Sequence, residues 1–358
     1  MSEHFDFAIA GSTPLAALLA GVLAREHGAK ICRIGDFRHA LRPQGGFDIS
    51  AGPLTRPETW RLLRSTIPQT LKILGEIGDG KVFERVDPLM VSITQEGADA
   101  LAHMRNVAQE YGFQIERQAI STVFSAGYQF RDAVRVLRRP LTAATAEWLA
   151  ACGVTSLSPE GVTIRPQKHG DVRLEWDGHK ATADCLILAG DEAILKYGEP
   201  EYVARQFEQI PISALLTEPA GPLETSVVHV IDSGLTLYQR HTGALDCVGT
   251  GPADAIGEAA CLHLKHDQRL QLAGLAHYTG LRARDGASVF GGSRDNGIVY
   301  LAGLGVTGLF QLPALARVLA KAGGPVESAY FAARAPARNG LRPAIAEFMP
   351  NGQMAAAS

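Results

Sequence analysis

The residues most able to do chemistry lie toward the two ends of the chain. Near the N-terminus the apolar run Phe7–Ala10 meets the turn Gly11-Ser-Thr-Pro-Leu-Ala16. This turn keeps two of the three small positions of the dinucleotide fingerprint GxGxxG. Gly11 suits the tight turn, and Ala16 allows close packing of helix on strand. Thr13 stands at the middle position, where a side chain meets the path of a pyrophosphate but a hydroxyl offers a hydrogen bond instead. Pro14 fits the first helical turn, where a missing N–H costs nothing. The acid that would hold a ribose at the end of the second strand is absent: Gly35 takes its place and Asp36 follows. Taken alone, this turn suits a βαβ unit without nucleotide as well as one with it.

Toward the C-terminus, Gly280-Leu-Arg-Ala-Arg-Asp-Gly286 is followed by Val299-Tyr-Leu-Ala-Gly-Leu-Gly-Val-Thr-Gly308. A strand running into a helix that begins near Gly308 would aim N–H groups and a partial positive charge at whatever sits above it. Gly303, Gly305 and Gly308 would let the backbone approach closely. Tyr238 and Arg240, two apart on one expected strand, share a face where a phenol and a guanidinium could line a pocket; packing is an equal alternative for Tyr238. His229 and Thr307 are further pocket candidates, although a lone strand histidine is more commonly structural. No general base is assigned. Cys32, Cys152, Cys185, Cys247 and Cys261 are far apart with no CxxC pair, and no ligand spacing predicts a metal.

The elements that must position these residues follow from periodicity. Thr13 caps a helix whose Leu15, Leu18, Leu19, Val22 and Leu23 fall at helical spacing, and Gly28 ends it before a strand at Ala29–Ile34. Helices are expected over Glu58–Ile77, Gly97–Tyr111, Leu141–Cys152 and Gly308–Ala322. Strands are expected at Leu89–Ile93, Thr163–Trp176, Ala181–Ala189 and Ile298–Ala302. The β-like runs Ile210–Leu216, Ser226–Ile231, Leu235–Gln239 and Leu245–Gly249, separated by turn residues, read as an antiparallel sheet. The fold class is therefore α/β: a first domain over 1–81, 140–200 and 276–345, a second, inserted domain over 82–139 and 201–275, and a tail over 346–358.

The chain has 358 residues, 46% of them hydrophobic and 20% charged, a balance typical of soluble globular proteins. With 34 Lys and Arg against 37 Asp and Glu, it has no basic field for nucleic acid. No apolar run is long enough for a membrane span, and the acidic N-terminus does not read as a signal peptide, so a cytoplasmic location is expected.

The order of these parts resembles the D-amino-acid oxidase-like family of FAD-dependent oxidoreductases, which includes glycine oxidase and sarcosine oxidase types, and the resemblance spans nearly the whole chain. It rests on the N-terminal fingerprint, a strand ending in Ala189-Gly190, the Gly280-Leu-Arg-Ala283 segment in place of GLRP, and the final glycine-rich turn. It implies a Rossmann-like FAD-binding domain of the glutathione reductase type, an inserted antiparallel-sheet substrate domain, and FAD held noncovalently. The residues it implies for the cofactor are Gly11, Thr13, Pro14, Ala16, Asp36, Arg42, Gln44, Gly45, Gly46, Ala189, Gly190, Gly303, Gly305, Val306, Thr307, Gly308 and Leu309. It places Arg282 near the flavin, where a guanidinium can bind a carboxylate by two hydrogen bonds. The implied activity is oxidation of the C–N bond of an amino acid or secondary amine. An accessory subunit with weakened or lost FAD binding is the alternative, fed by Thr13 and Gly35, and a partner subunit or homo-oligomer stays open. A flavin monooxygenase is disfavoured because Leu304, not Asp, follows Gly303, and a nicotinamide dehydrogenase would not explain the C-terminal turn.

Overall fold

The computed structural model describes residues 3–36, 47–120, 123–167, 170–264, 270–292, 297–336 and 346–348. The chain runs β1 (Glu3–Ala10), α1 (Pro14–His27), β2 (Ile31–Ile34), α2 (Pro57–Gly78), β3 (Phe83–Val86), β4 (Leu89–Ser92), α3 (Gln95–Glu110), β5 (Ile115–Arg117), β6 (Ala126–Phe130), β7 (Ala133–Val136), α4 (Arg138–Ala151), β8 (Thr155–Leu157), β9 (Thr163–Pro166), β10 (Val172–Trp176) and β11 (His179–Ala189). It continues through α5 (Asp191–Tyr197), α6 (Pro200–Gln206), β12 (Phe207–Pro219), β13 (Val227–Val230), β14 (Leu235–Gln239), β15 (Ala244–Thr250), α7 (Ala253–Cys261), β16 (Leu272–Ala283), β17 (Val289–Gly291), β18 (Ile298–Ala302), a 3₁₀ helix (Gly305–Gln311), α8 (Leu312–Leu319) and α9 (Pro325–Ala332).

Two large sheets organise the molecule. The first has the order β17-β18-β11-β1-β2-β8, with β10 and β9 added as an antiparallel hairpin on β11. Its central neighbours are parallel: β1 lies between β11 and β2, and β18 flanks β11. Parallel strands need crossovers and are covered on both faces, so β1 and β11 end in the fully buried runs Ala8–Ala10 and Leu186–Ala189. The second sheet has the order β16-β12-β15-β14-β13-β4-β6-β5. It is antiparallel except where β13 meets β4. A separate ribbon pairs β3 with β7.

Helix α1 starts where the sequence places it, with the Thr13 hydroxyl accepting the Ala16 N–H at 3.2 Å and Pro14 in the first turn. It stops at Gly28, whose φ of 65° supplies the left-handed cap. Trp60 of α2 ties the layers together. Its ring is fully buried, stacks on Phe130 of β6 at 5.8 Å, tilts against Phe113 at 4.7 Å, and donates its indole N–H to the Leu54 carbonyl at 2.9 Å.

Three expectations need correction. The run 163–176 is not one strand but the hairpin β9–β10, closed where Gln167 donates its N–H to the Asp171 carbonyl at 2.9 Å. β16 carries residues 272–283 along β12 in the second sheet, so the chain leaves that sheet after Ala283 and not at 276. The expected helix at Gly308 is preceded by a 3₁₀ turn from Gly305, and the α-helix begins at Leu312, where Pro313 occupies the first turn. Among the described residues no helix is long and apolar enough to cross a membrane.

Truncating Trp60 removes both aromatic contacts and opens a cavity between α2 and the second sheet. Trp60→Ala is expected to lower unfolding stability by about 3–5 kcal/mol, measured by urea denaturation.

Candidate functional site

A cavity of about 430 Å³ is lined by both sheets. Its walls include the β1–α1 turn (Ser12–Leu15), Gly190 and Asp191, Ile212, His229, Thr236 and Val248 from the second sheet, and the run Leu301–Leu309. The size is that of a small-molecule site. It brings the two glycine-rich ends of the sequence to one place.

At the α1 end, contact between backbones sets the shape. A Cβ on Gly11 would meet the Ala189 carbonyl oxygen at 2.3 Å and the Ala16 Cβ at 2.9 Å, so only glycine lets β1 turn here. The Thr13 hydroxyl is used internally: it accepts from Ala16 and donates to the Ala189 carbonyl at 3.3 Å. Pro14 contributes no N–H. Among the described residues, no hydrogen bond engages the N–H groups of Thr13 and Leu15, and these remain to face a ligand at the helix N-terminus. A Cβ on Gly35 would lie 2.2 Å from the Gly11 carbonyl oxygen and 2.8 Å from Nη2 of Arg33, so the missing acid could not be seated there without a backbone shift. Arg33 is fully buried and donates to the Gly11 and Gly35 carbonyls at 3.4 Å each. Burial pulls its pKa down to about 10, which leaves it charged at neutral pH beneath the turn. The sequence signal for Arg33 was a charge inside an otherwise apolar four-residue strand. Asp36 donates its N–H to the Ser12 hydroxyl at 3.2 Å.

At the other end, Gly303 and Gly305 have φ of 67° and 63°, a conformation that favours glycine. The segment Ile49–Gly52 closes against this turn. Ile49 donates its N–H to the Val306 carbonyl at 2.9 Å, and a Cβ on Gly52 would press on Val306 at 3.0 Å and Thr307 at 3.3 Å. Thr307 is fully buried, lines the cavity, and has a hydroxyl with no hydrogen-bond partner among the described residues. A buried hydroxyl without a partner is costly unless a ligand supplies one.

His229 reaches the cavity with Nδ1 2.7 Å from the Thr236 hydroxyl. Burial pulls its pKa down to about 4, so the imidazole is neutral at pH 7. Asp191, which sequence reasoning passed over, accepts the Leu281 N–H at 3.0 Å, and burial pushes its carboxyl up to about 6. Arg282 lines the cavity but is paired with Glu208 through contacts of 2.8 and 3.2 Å, its directly opposite neighbour on β12.

The fold does not bring Tyr238 and Arg240 to the cavity lining. Thr236 reaches it, but two residues further along β14 the Tyr238 ring is covered by Phe47 at 5.8 Å and by the Arg135 guanidinium at 3.2 Å from its centroid. Its hydroxyl donates to Glu84 at 3.4 Å. Arg240 lies past the strand end, bound to both carboxylate oxygens of Asp246 at 2.7 Å. Arg42, Gln44, Gly45 and Gly46 lie outside the described residues. No group of three metal-binding side chains occurs among the described residues.

Neither a family model nor a curated protein matches the chain. Solved structures do. The chain is similar to glycine oxidase from Geobacillus kaustophilus at 14% identity and a TM-score of 0.67, covering 92% of this chain and 98% of that one. It is similar to L-proline dehydrogenase from P. horikoshii at 12% identity and a TM-score of 0.69, covering 92% and 97%. L-amino acid deaminase from Proteus myxofaciens, in complex with anthranilate, matches at 12% identity and a TM-score of 0.69, covering 92% and 93%. The chain therefore has the fold of the family its glycine-rich segments resemble.

Asp191 gives the cavity a measurable pH signature. Its folded pKa, near 6, lies above the ordinary 3.8, so its charged form is disfavoured in the folded state at high pH. Asp191→Asn is expected to be more stable than the parent at pH 8 by on the order of 1 kcal/mol. The advantage should shrink as pH falls through 6 and vanish near 4, as read from urea denaturation at each pH.

Proposed function

We propose that this protein is an FAD-dependent oxidoreductase that oxidises the C–N bond of an amino acid or secondary amine to an imine, which water then hydrolyses. The observation that carries this reading is the single cavity joining the α1 N-terminal turn to the Gly303–Leu309 turn, with the unpartnered Thr307 hydroxyl in its wall. The matched proteins named glycine oxidase, L-proline dehydrogenase and L-amino acid deaminase support the amino-acid class of substrate.

The residues present fit such a cofactor unequally along its length. Around Thr307 the fit is good: a cradle of glycines admits a flat ring, and the hydroxyl awaits a polar atom. At the α1 end, the N–H groups of Thr13 and Leu15 would hold the pyrophosphate, with Gly11, Pro14 and Ala16 shaping the turn, Ala189 and Gly190 beside it and the Arg33 charge beneath. Asp36, one residue past the usual acid, would face the ribose, and the expected loop at Arg42–Gly46 would add phosphate contacts. Bound flavin supplies a hydride acceptor at N5. The partial positive charge of the N–H groups in the Gly303–Leu309 turn would stabilise negative charge that accumulates on the ring.

The cavity side chains constrain how the amine arrives. An imidazole with a pKa near 4 is a poor proton acceptor at pH 7, so His229 and Thr236 position the substrate and do not deprotonate it. The amine must enter in its neutral form, and orientation then carries the reaction. Arg282 stands at the cavity with Glu208 already on it, which makes it an auxiliary contact to a substrate carboxylate. Tyr238 and Arg240, one layer back, support the pocket wall through Phe47 and β15.

A second reading has its own support. Pro14 removes one N–H, Thr13 occupies that of Ala16, and Gly35 admits no acid, so an accessory subunit with weak cofactor binding also accounts for the α1 end. The absorption spectrum separates the two. Purified protein supplemented with FAD is expected to show flavin bands near unit stoichiometry, released into solution on denaturation; a colourless protein that binds no added FAD sinks the catalytic reading for the isolated chain. With a substrate in hand, Arg282→Met is expected to raise KM for amino acids less than about tenfold and to leave kcat nearly unchanged, which steady-state kinetics would check.

A further inference from the structure

One group of cavity residues has no part in the reading above. Arg334, with 1% of its surface exposed, donates to the Ser288 hydroxyl at 3.1 Å, the Tyr330 carbonyl at 2.9 Å and the Thr59 hydroxyl at 3.4 Å. Its guanidinium also lies over the Tyr330 ring, 3.4 Å from the centroid. The Tyr330 hydroxyl reaches Thr59 and Gln311, each at 3.4 Å. Thr59, Gln311, Tyr330 and Arg334 all line the cavity, and Gln311 ends the same 3₁₀ turn that carries Thr307.

What fills this cluster is a carboxylate from the chain itself. Glu347, 292 residues from Thr55 in sequence, accepts the Thr55 N–H at 2.6 Å, the Arg56 N–H at 3.1 Å and the Thr59 hydroxyl at 2.7 Å. Arg56 is the N-cap of α2 and has no side-chain cap of its own, so Glu347 supplies it from outside the helix. Ala346 anchors the segment, with 2% of its surface exposed and its carbonyl accepting from Arg56 Nε at 2.7 Å. Two backbone N–H groups and a hydroxyl from the start of α2 converge on this carboxylate, and the buried Arg334 guanidinium, bonded to the same Thr59 hydroxyl, adds its positive charge nearby; such a set suits a carboxylate ligand. The same cavity wall carries the fully buried Thr307 hydroxyl, which has no hydrogen-bond partner among the described residues. Burial also pushes the Glu347 carboxyl above its usual range, so desolvation works against the tail that occupies the cluster.

We propose that Thr59, Arg334 and the N–H groups of Thr55 and Arg56 form the deep carboxylate-recognition site of the cavity, which Glu347 occupies as an internal surrogate that a carboxylate ligand must displace. The inference rests on the proposed function only in naming an amino acid as the ligand class; the site itself would take other organic carboxylates. It explains why Arg282, held by Glu208, need not be the principal anchor.

The test uses benzoate as a simple carboxylate and calorimetry on the full chain, with and without FAD. Glu347→Ala is expected to bind benzoate saturably and about tenfold or more tighter than the parent, and Glu347→Ala combined with Arg334→Met is expected to lose that gain. A folded Glu347→Ala chain with the parent's benzoate affinity overturns the inference and leaves Glu347 as a helix cap only. Should that variant fail to fold, hydrogen exchange on the parent decides: saturating benzoate is expected to speed exchange in the peptide spanning 346–348, and unchanged exchange overturns the inference. Carboxylate binding in a chain that takes up no FAD would sink the oxidoreductase reading and leave this site standing. Amine oxidation with no gain in the variant would do the reverse.

Discussion

The close approach of Gly11 to Ala189 and Gly35 is the constraint on which the site depends. With the Ala189 oxygen 2.3 Å from where a Gly11 Cβ would be, β1 and β11 end side by side with no room between them. The parallel ladder from Phe7–Cys185 to Ala10–Leu188 delivers the two strand ends in register. Thr13 then ties the start of α1 to Ala189, so the helix N-terminus is held at the sheet edge where a ligand crosses. The cavity exists because this turn and the Leu301–Leu309 run leave β1 and β18, the parallel strands on either side of β11, at the same end of the sheet, the position at which open α/β sheets bind ligands.

Charge in the cavity wall is matched before any ligand arrives. Arg282 meets Glu208, and Arg138 meets Asp48 at 3.0 Å with both side chains largely buried. The Arg138 guanidinium left without counter-charge would be strongly unfavourable, which gives Asp48 a structural reason to be there, whereas the Arg282–Glu208 pair is open to solvent. The same pairing means that an anionic ligand gains less from any one arginine than a bare guanidinium would offer, and that exchange of one carboxylate for another is the natural way for such a ligand to enter.

The strongly patterned parts of the fold were legible in the sequence. The cap–proline–glycine punctuation of α1 and the β-branched strand Ile298–Ala302 carry local signals that tertiary contacts had no cause to override. The 163–176 hairpin and the 3₁₀ start of the C-terminal turn were not legible, because the first depends on pairing between two short strands and the second on tight i to i+3 bonds, and apolar period reports neither. Tyr238 and Arg240 show the same limit within the site. Alternation correctly places Tyr238 on the face that Thr236 shares, yet it cannot say that Phe47, from far along the chain, lies between the ring and the cavity.

By itself the sequence determined the fold class, the glycine turns, and the absence of an acid at Gly35, because each follows from which backbone conformations and packings a residue permits. Only the tertiary structure decided which polar groups meet. Arg33 beneath the Gly11 turn and Glu347 on the N-terminus of α2 join residues distant along the chain, and the neutral His229 meets Thr236 across the β13–β14 pair. Burial and distance set their charge states and partners, and neither quantity is written in local sequence.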